Sequence, residues 1–213
     1  MFKAIIFDLD GVLIDTERLN VKYKKKRAKE LGYSLSKKEI SYSLGMGKNE
    51  AFEYYFALTK NNQLYTQLSK YRRIKTKKYI DRYGLPVKKH VNQVLSYLKM
   101  HNIPITLATS SSKELLDFYF QKSNLKNYFN FIITSDDVNR GKPYPDIFLS
   151  ACTKLKVNPY EVLVVEDSIN GLKAAKVGKF KTAYIKDQWC IKKPQLAYAD
   201  YILNDIELIK IFF

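Results

Sequence analysis

A short apolar run near the start of the chain ends in two aspartates and a glycine. Residues 4–7 are all apolar, and Asp8, Leu9, Asp10 and Gly11 follow them. An unbroken run of this length is typical of a strand buried on both faces of a parallel sheet. Ligands bind beyond the carboxyl ends of such strands, and alternation places Asp8 and Asp10 on the same side. Because two close carboxylates repel each other without a cation or a shared proton between them, this stretch indicates a metal site.

Two other interpretations of the same stretch need to be weighed. The aspartates could cap a turn, and this stretch alone leaves that interpretation open. A calcium-binding loop of the EF-hand type would place Ile6 at its first liganding position, inside the predicted strand. Isoleucine offers no oxygen ligand, so we exclude the calcium loop.

The rest of the chain alternates apolar runs with stretches of helical periodicity. Further strands are predicted at residues 103–108, 131–134, 162–165, 181–185 and 201–203, followed by a terminal helix. Regular alternation of strands and helices is typical of an α/β fold with right-handed crossovers. We therefore predict a doubly wound parallel sheet as the core of the protein.

Residues 16–83 interrupt this alternation with helical patterns alone. Helices are predicted at about 16–32, 36–42, 49–58 and 64–83, with glycines at the ends of the first and last. The sequence therefore predicts an inserted helical cap at residues 16–83. The α/β core domain would consist of residues 1–15 and 84–213.

Length and composition indicate a globular chain. Its 213 residues, 46% of them hydrophobic, are enough for one core with an inserted subdomain. No apolar run has the length of a membrane span, and the chain opens on a strand rather than a leader. We expect a cytoplasmic monomer with no membrane partner. Cys152 and Cys190 are predicted to be reduced thiols.

The formal charge of +16 raises nucleic acid as a partner. Residues 16–83 alone carry 18 Lys and Arg against 6 Asp and Glu, and the basic residues spread around the first helix instead of forming one stripe. This distribution favours a solvated helical surface, so we expect no nucleic-acid partner. A basic segment facing an acidic site would steer anionic substrates.

Polar or charged residues follow each of the first four predicted strands. They are Asp8 and Asp10, Thr109 and Ser110, Lys142, and Glu166 and Asp167. Transfer of a phosphoryl group requires a nucleophile, a cation, donors to its oxygens and an acid for the leaving oxygen. The strand ends supply each of these, and hard oxygen ligands suit Mg²⁺. Taken singly, each would also serve as a helix cap or a surface charge.

The sequence resembles the haloacid dehalogenase superfamily at four places. They are Asp8-Leu9-Asp10-Gly11-Val12, the hydroxyl residue after Leu107-Ala108, Gly141-Lys142-Pro143, and the acidic pair before Ser168. The resemblance covers nearly the whole chain and is strongest to the subgroup of β-phosphoglucomutase and the related sugar-phosphate phosphatases. It implies this superfamily's α/β core with a small helical cap.

The resemblance also implies roles for individual residues. Asp8 would attack phosphorus, and Asp10 would protonate the leaving oxygen and then activate water. Thr109 and Lys142 would hold the phosphoryl oxygens. The predicted Mg²⁺ ligands are Asp8, the carbonyl of Asp10, Asp167, and Glu166 directly or through water. An acid at Asp10 argues against dehalogenase activity.

The substrate would be a small phosphorylated metabolite, with contacts predicted at Gly11, Glu17, Lys48 and Ser110. Phosphatase activity is preferred to mutase activity, because the mutases of this subgroup have histidine where Asn20 stands and arginine where Lys48 stands. A β-phosphoglucomutase-type mutase stays open as the alternative. A non-catalytic basic binding protein on the same fold is the alternative of a different class.

Overall fold

The structure is a computed structural model that describes residues 2–186, 189 and 197–213. Its strands are β1 (Ala4–Phe7), β2 (Ile105–Ala108), β3 (Phe131–Ile133), β4 (Val162–Glu166), β5 (Lys181–Ile185) and β6 (Tyr201–Leu203). All neighbouring strands are parallel, in the order β3-β2-β1-β4-β5-β6. The predicted α/β fold with a doubly wound parallel sheet is confirmed.

The pairing of β1 explains why the polar residues after three strands lie close together. Phe7, the last residue of β1, pairs with Leu107 of β2 on one side and with Val165 of β4 on the other. The residues just beyond these positions therefore leave the sheet at the same edge. Asp8 is fixed there because its backbone N–H donates to the carbonyl of Val165 at 3.0 Å.

Four helices lie between β1 and the return of the chain to the sheet. They are α1 (Thr16–Glu30), α2 (Lys37–Tyr42), α3 (Lys48–Thr59) and α4 (Leu64–Tyr83). They share an apolar cluster of their own, which includes Val21, Ile40, Tyr55 and Leu68. Ser36 caps α2, since its Oγ accepts from the N–H of Glu39 at 3.1 Å.

Four further helices cover the two faces of the sheet. They are α5 (Val91–Met100), α6 (Lys113–Gln121), α7 (Asp146–Leu155) and α8 (Ile169–Val177). Ile5 and Phe7 of β1 face the cluster that contains residues of α5 and α6, whereas Ala4 and Ile6 face the cluster with residues of α7 and α8. Burial on both faces accounts for the unbroken apolar sequence of β1.

The terminal segment is helical, as predicted. Residues Ile206–Phe212 form a 3₁₀ helix. Asp205 accepts from the N–H of Glu207 at 2.8 Å, and the ring of Phe212 packs against Tyr201 with centroids 4.6 Å apart.

The thiol of Cys152 is free and buried in α7, and burial raises its pKa to about 11. Cys190 lies outside the described residues. Within the described ranges, none of the helices combines the length and the apolar character needed to cross a membrane.

Candidate active site

A cavity of about 610 Å³ lies between the carboxyl edge of the sheet and helices α1–α4. It brings together residues from the ends of β1, β2 and β4, from the loop after β3 and from the helical segment. Of the predicted site residues, those that line it are Asp8, Asp10, Glu17, Lys48, Thr109, Ser110, Lys142 and Asp167. Gly11 and Glu166 are the two that do not line it, and both lie against residues of the site.

Lys142 connects the carboxylates of two strand ends. Its amine lies 2.5 Å from Oδ1 of Asp8 and 2.6 Å from Oε1 of Glu166, and it donates to the carbonyl of Ala108 at 3.1 Å. The side chain of Lys142 is only 5% exposed. The lysine is therefore a buried cation of the site and not a surface charge.

Glu166 is completely buried and held by several donors. Its Oε2 accepts from the backbone N–H of Asp167 at 3.1 Å, from the N–H of Ser168 at 3.0 Å and from the Oγ of Ser168 at 2.9 Å. A Cβ on Gly171 of α8 would lie 1.8 Å from Oε1 of Glu166. The absence of a side chain at Gly171 therefore leaves the space that this carboxylate occupies.

The charges of this cluster shift one another's ionisation. Burial raises the pKa of Asp8, and Lys142 opposes that shift by attraction. Burial acts against the charged form of Lys142 as well, but Asp8 and Glu166 outweigh it and raise the pKa of the lysine. The ammonium is thus the stable form of Lys142, and it compensates only part of the negative charge around it.

The acidic residues of the site fit a divalent cation. Asp8, Glu166 and Asp167 are buried, and each offers a carboxylate oxygen within 4.8 Å of the other two. Lys142 contacts two of them, Asp8 and Glu166. An all-oxygen donor set is the one that Mg²⁺ prefers, so the residues present suit the predicted metal.

Asp10 is held by hydroxyl groups from two different segments. Thr16, the first residue of α1, donates to Oδ1 of Asp10, and Ser111 donates to Oδ2 at 2.9 Å. Both carboxylate oxygens are therefore oriented, and the aspartate faces the cavity next to the start of the helical segment. An oriented carboxyl group that borders the cavity is suited to proton transfer.

Thr109 and Gly11 support the site from behind. Thr109 is buried, and its Oγ1 accepts from the N–H of Ser111 at 3.0 Å, which fixes the turn after β2. Gly11 has φ +85°, and a Cβ there would lie 2.1 Å from Oδ2 of Asp167. Glycine is required here by the backbone conformation and by the approach of the Asp167 carboxylate.

Glu17, Lys48 and Ser110 also line the cavity. Lys48 and Ser110 are exposed, and Lys48 begins α3. Oε2 of Glu17 accepts from the side-chain amide of Asn20 at 3.0 Å. The structure therefore brings these residues to the cavity that contains Asp8.

Some residues of the site were not found from the sequence. Thr16 and Ser111 orient Asp10, while Lys24 and Arg72 line the same cavity. Ser111 stands in the run of serines that follows β2, and this position after a strand end is a signal from which it could have been predicted. Lys24 and Arg72 stand among many basic residues of α1 and α4, and nothing in the sequence distinguishes them.

Comparison with known proteins identifies the family. Residues 5–185 match the family described as haloacid dehalogenase-like hydrolase. The match covers most of the chain, so the protein belongs to this family. The family and the enzyme class that the four motifs predicted, a hydrolase of the phosphatase type, are confirmed.

The curated relatives include several phosphatases. The chain is 29% identical over 184 residues to the phosphorylated carbohydrates phosphatase of Thermotoga maritima, covering 85% of this chain and 84% of the relative. It is 24% identical over 204 residues to hexitol phosphatase B of Escherichia coli strain K12, covering 95% and 92%. It is 35% identical over 118 residues to the bifunctional riboflavin kinase/FMN phosphatase of Arabidopsis thaliana, where it covers 54% of this chain but only 30% of the relative.

Solved structures of low sequence identity share the fold over nearly the full length. A haloacid dehalogenase-like protein from Agrobacterium tumefaciens has a TM-score of 0.85 at 24% identity, covering 100% of this chain and 97% of its own. CbbY from Rhodobacter sphaeroides, in complex with phosphate, has a TM-score of 0.77 at 23% identity, covering 96% and 95%. β-Phosphoglucomutase from Clostridium difficile has a TM-score of 0.76 at 21% identity, covering 99% and 96%.

Proposed function

We propose that this protein is a Mg²⁺-dependent phosphatase that hydrolyses small phosphate monoesters, with sugar phosphates as the preferred class, through an aspartyl-phosphate on Asp8. The observation that carries the proposal is the contact between Lys142 and Asp8 at the bottom of a cavity that Asp10 also borders. The relatives named as phosphatases of phosphorylated carbohydrates and as hexitol phosphatase support the substrate class.

In the first step an oxygen of the Asp8 carboxylate attacks phosphorus, and the bond between phosphorus and the ester oxygen breaks. Lys142 holds Asp8 in place and attracts the phosphoryl oxygens, because its ammonium is buried and charged. The hydroxyl of Thr109 and the backbone of Ser110 bind the same phosphoryl group from the end of β2.

Asp10 moves the protons. It gives a proton to the leaving alkoxide in the first step and removes a proton from the attacking water in the second. The water oxygen then bonds to phosphorus, the bond to Asp8 breaks, and inorganic phosphate leaves. Thr16 and Ser111 support this role, since their hydroxyls orient both oxygens of Asp10.

Mg²⁺ would be held by Asp8, Asp167 and the backbone carbonyl of Asp10, with Glu166 acting directly or through water. When bound, the metal offsets negative charge so that an anionic phosphate can approach a carboxylate. The hydrogen bonds of Glu166 to Ser168 and Lys142 support a second role for this residue, which is to fix the position of the Lys142 ammonium.

We further propose that residues 16–83 form a cap over a core of residues 1–15 and 84–213. The separate apolar cluster of α1–α4 supports this division. Opening and closing of the cap would admit substrate and exclude water. Within it, Glu17 and Lys48 would contact the organic part of the substrate, and Gly11 would leave room close to the phosphate.

Water is the favoured acceptor of the phosphoryl group. A mutase must hold and deprotonate a sugar hydroxyl of its own intermediate, and the side-chain amide of Asn20, which donates to Glu17, has no basic group for that purpose. A phosphatase needs only Asp10 and a water molecule, so the residues on the cavity wall are sufficient for it.

The proposal is tested by phosphate release from a panel of sugar phosphates with Mg²⁺, using Asp8→Asn and the matched control Asp117→Asn. Asp117 lies on the exposed side of α6. We expect turnover by the unchanged protein and by the control, and a loss of at least about 1,000-fold in Asp8→Asn. Turnover by Asp8→Asn at the normal rate, or none by the unchanged protein on any ester, would refute the proposal.

A further inference from the structure

The cavity has a second charged region, formed by residues of α1 and α4. Thr16, Asn20 and Lys24 are spaced four residues apart, so they follow one row along α1, and all three line the cavity. Thr16 contacts Asp10, whereas Lys24 lies two turns further on, about 12 Å along the helix axis. Arg72 of α4 lines the cavity together with them.

Lys24 is a buried cation with little to compensate its charge. The residue is 5% exposed, its amine lies 3.5 Å from the hydroxyl of Ser43, and it lies 5.6 Å from the centre of the Tyr55 ring. Within the part of the chain that the structure describes, no carboxylate forms an ion pair with it. A buried ammonium in this state is costly unless something else supplies negative charge.

Arg72 adds a second cation to the same place. Its Nε is buried and has no hydrogen-bond partner among the described residues. The neighbouring Arg73 differs, because its guanidinium pairs with Glu114 at 3.1 Å. Burial and the charge of Arg72 lower the pKa of Lys24 to about 8, and Glu17 opposes them. Arg72 is thus close enough to Lys24 for the two charges to repel each other.

A polar acceptor lies along the path between the two charged regions. Oδ1 of Asn20 is buried and has no hydrogen-bond partner within the described ranges, although its Nδ2 donates to Glu17. This oxygen is available to a hydroxyl group of a bound molecule. The wall of the cavity therefore offers, in order, a carboxylate and lysine site, a hydroxyl acceptor and a pair of cations.

We propose that Lys24 and Arg72 bind a second anionic group of the substrate, a phosphate or a carboxylate, while the phosphate to be hydrolysed lies at Asp8. The inference rests on the proposed function, which places the first phosphate. Helical side chains lean toward the N-terminus, so the amine of Lys24 reaches back toward Asp10, and the two anionic groups would be roughly 10 Å apart. The substrate class is a short, hydroxylated molecule with an acidic group at each end.

The test is a binding measurement that does not need turnover. Asp8→Asn protein with Mg²⁺ is titrated in a calorimeter with fructose 1,6-bisphosphate against fructose 6-phosphate, and with 3-phosphoglycerate against glycerol 3-phosphate. The readout is the ratio of the two dissociation constants within each pair. The same ratios are measured after adding Lys24→Met, and after adding the control Lys25→Met, which removes an exposed lysine of the same helix.

We expect the second anion to strengthen binding by about 10- to 100-fold in at least one pair, as charge-assisted hydrogen bonds do. Lys24→Met should bring that ratio close to one, and Lys25→Met should leave it unchanged. The pair that responds tells whether the second group is a phosphate or a carboxylate.

Equal ratios in the Lys24→Met and Lys25→Met proteins, or no effect of the second anion in either pair, would overturn the inference and leave Lys24 with a purely structural role. A failure of the proposed function would be seen in a different measurement. If the protein is not a phosphatase for these esters, the unchanged protein releases no phosphate from them, while the ratios of dissociation constants still show whether Lys24 binds the second anion.

Discussion

The amine of Lys142 lies 2.5 Å from Oδ1 of Asp8, although the two residues are 134 positions apart in the chain. Both side chains are nearly buried, with 5% and 10% of their surfaces exposed. The contact joins the loop after β3 to the end of β1, and the same amine reaches Glu166 at the end of β4. One lysine thus compensates carboxylates from two strands, and its charge affects stability as well as chemistry.

Lys142→Met should therefore destabilise the protein. Without Mg²⁺ it leaves Asp8 and Glu166 buried and unpaired, and we expect the free energy of unfolding to fall by about 3 kcal/mol. Urea unfolding measures the change. Lys3→Met is the control, because Lys3 is largely exposed and pairs with Glu161. Equal stability of the two variants would contradict the structural role of Lys142.

Gly171→Ala tests the space around Glu166. Alanine is the better helix former by about 1 kcal/mol, yet its Cβ would lie 1.8 Å from Oε1 of Glu166. The carboxylate would have to move, so we expect a net loss of about 2 kcal/mol in unfolding free energy. Turnover should fall as well, because Glu166 holds Lys142.

The matched control for Gly171→Ala is Gly141→Ala. A Cβ at Gly141 meets no atom within 4 Å, so its effect on unfolding should be small. A neutral or stabilising Gly171→Ala would mean that helix propensity outweighs the contact with Glu166, and that the carboxylate is free to move.

The sheet could be predicted from the sequence because its strands are short apolar runs with clear ends. β1, β5 and β6 have the predicted bounds, and β2 begins at Ile105 instead of Ile103. Pro104 accounts for the later start of β2, since proline has no N–H for the ladder. The terminal helix was predicted as well, but its local pattern does not distinguish 3₁₀ from α winding.

The strand-end residues of the candidate site could be predicted from the sequence, because the carboxyl ends of neighbouring parallel strands lie at the same edge of the sheet. What the sequence could not provide is the partner of each group. That Lys142 lies between Asp8 and Glu166, or that Lys24 is buried while Lys25 is exposed, depends on packing between distant segments. The roles assigned to these residues stay predictions until the variants are measured.

Binding of the second anion should depend on pH through Lys24. The amine of the free protein has a pKa of about 8, with Arg72, Glu17 and Tyr55 as its charged or titratable neighbours. An anion binds the protonated amine, so the gain from a fully ionised second anion should be constant from about pH 7, above the second ionisation of a phosphate, to about pH 8. Above it, the gain should fall by about tenfold per pH unit.

Lys24→Arg provides the control for this pH dependence. Arginine keeps its charge throughout the range, so the ratio of dissociation constants should no longer fall above pH 8. A ratio that falls in the same way in Lys24→Arg would show that another group titrates, and would contradict the assignment to Lys24.

Asp200 should contribute to stability in acid. Burial favours its neutral form, but hydrogen bonds from Lys181 and Thr182 outweigh burial and lower its pKa to about 2. A carboxyl group whose pKa is lowered by folding stabilises the fold at pH values above its pKa in the unfolded chain. This stabilisation is lost as the pH falls through the pKa of the folded state. The contribution, about 1 kcal/mol after screening by water, should therefore be present at neutral pH and disappear between about pH 4 and pH 2.

Asp200→Asn checks this expectation. Its unfolding free energy should be lower than that of the unchanged protein at pH 6, and the two should converge as pH approaches 2. Asp117→Asn on the exposed side of α6 serves as the control and should show no such convergence. A constant difference at all pH values would mean that Asp200 acts through packing and not through its charge.

The most direct test of Asp8 as the nucleophile is to find which residue receives the phosphoryl group. The protein is mixed with Mg²⁺ and p-nitrophenyl phosphate, quenched in acid within the first turnovers, and digested for mass spectrometry. We expect one added phosphoryl group on the peptide that contains Asp8, and none in the Asp8→Asn protein. A phosphoryl group on another residue, or normal turnover by Asp8→Asn, would contradict it.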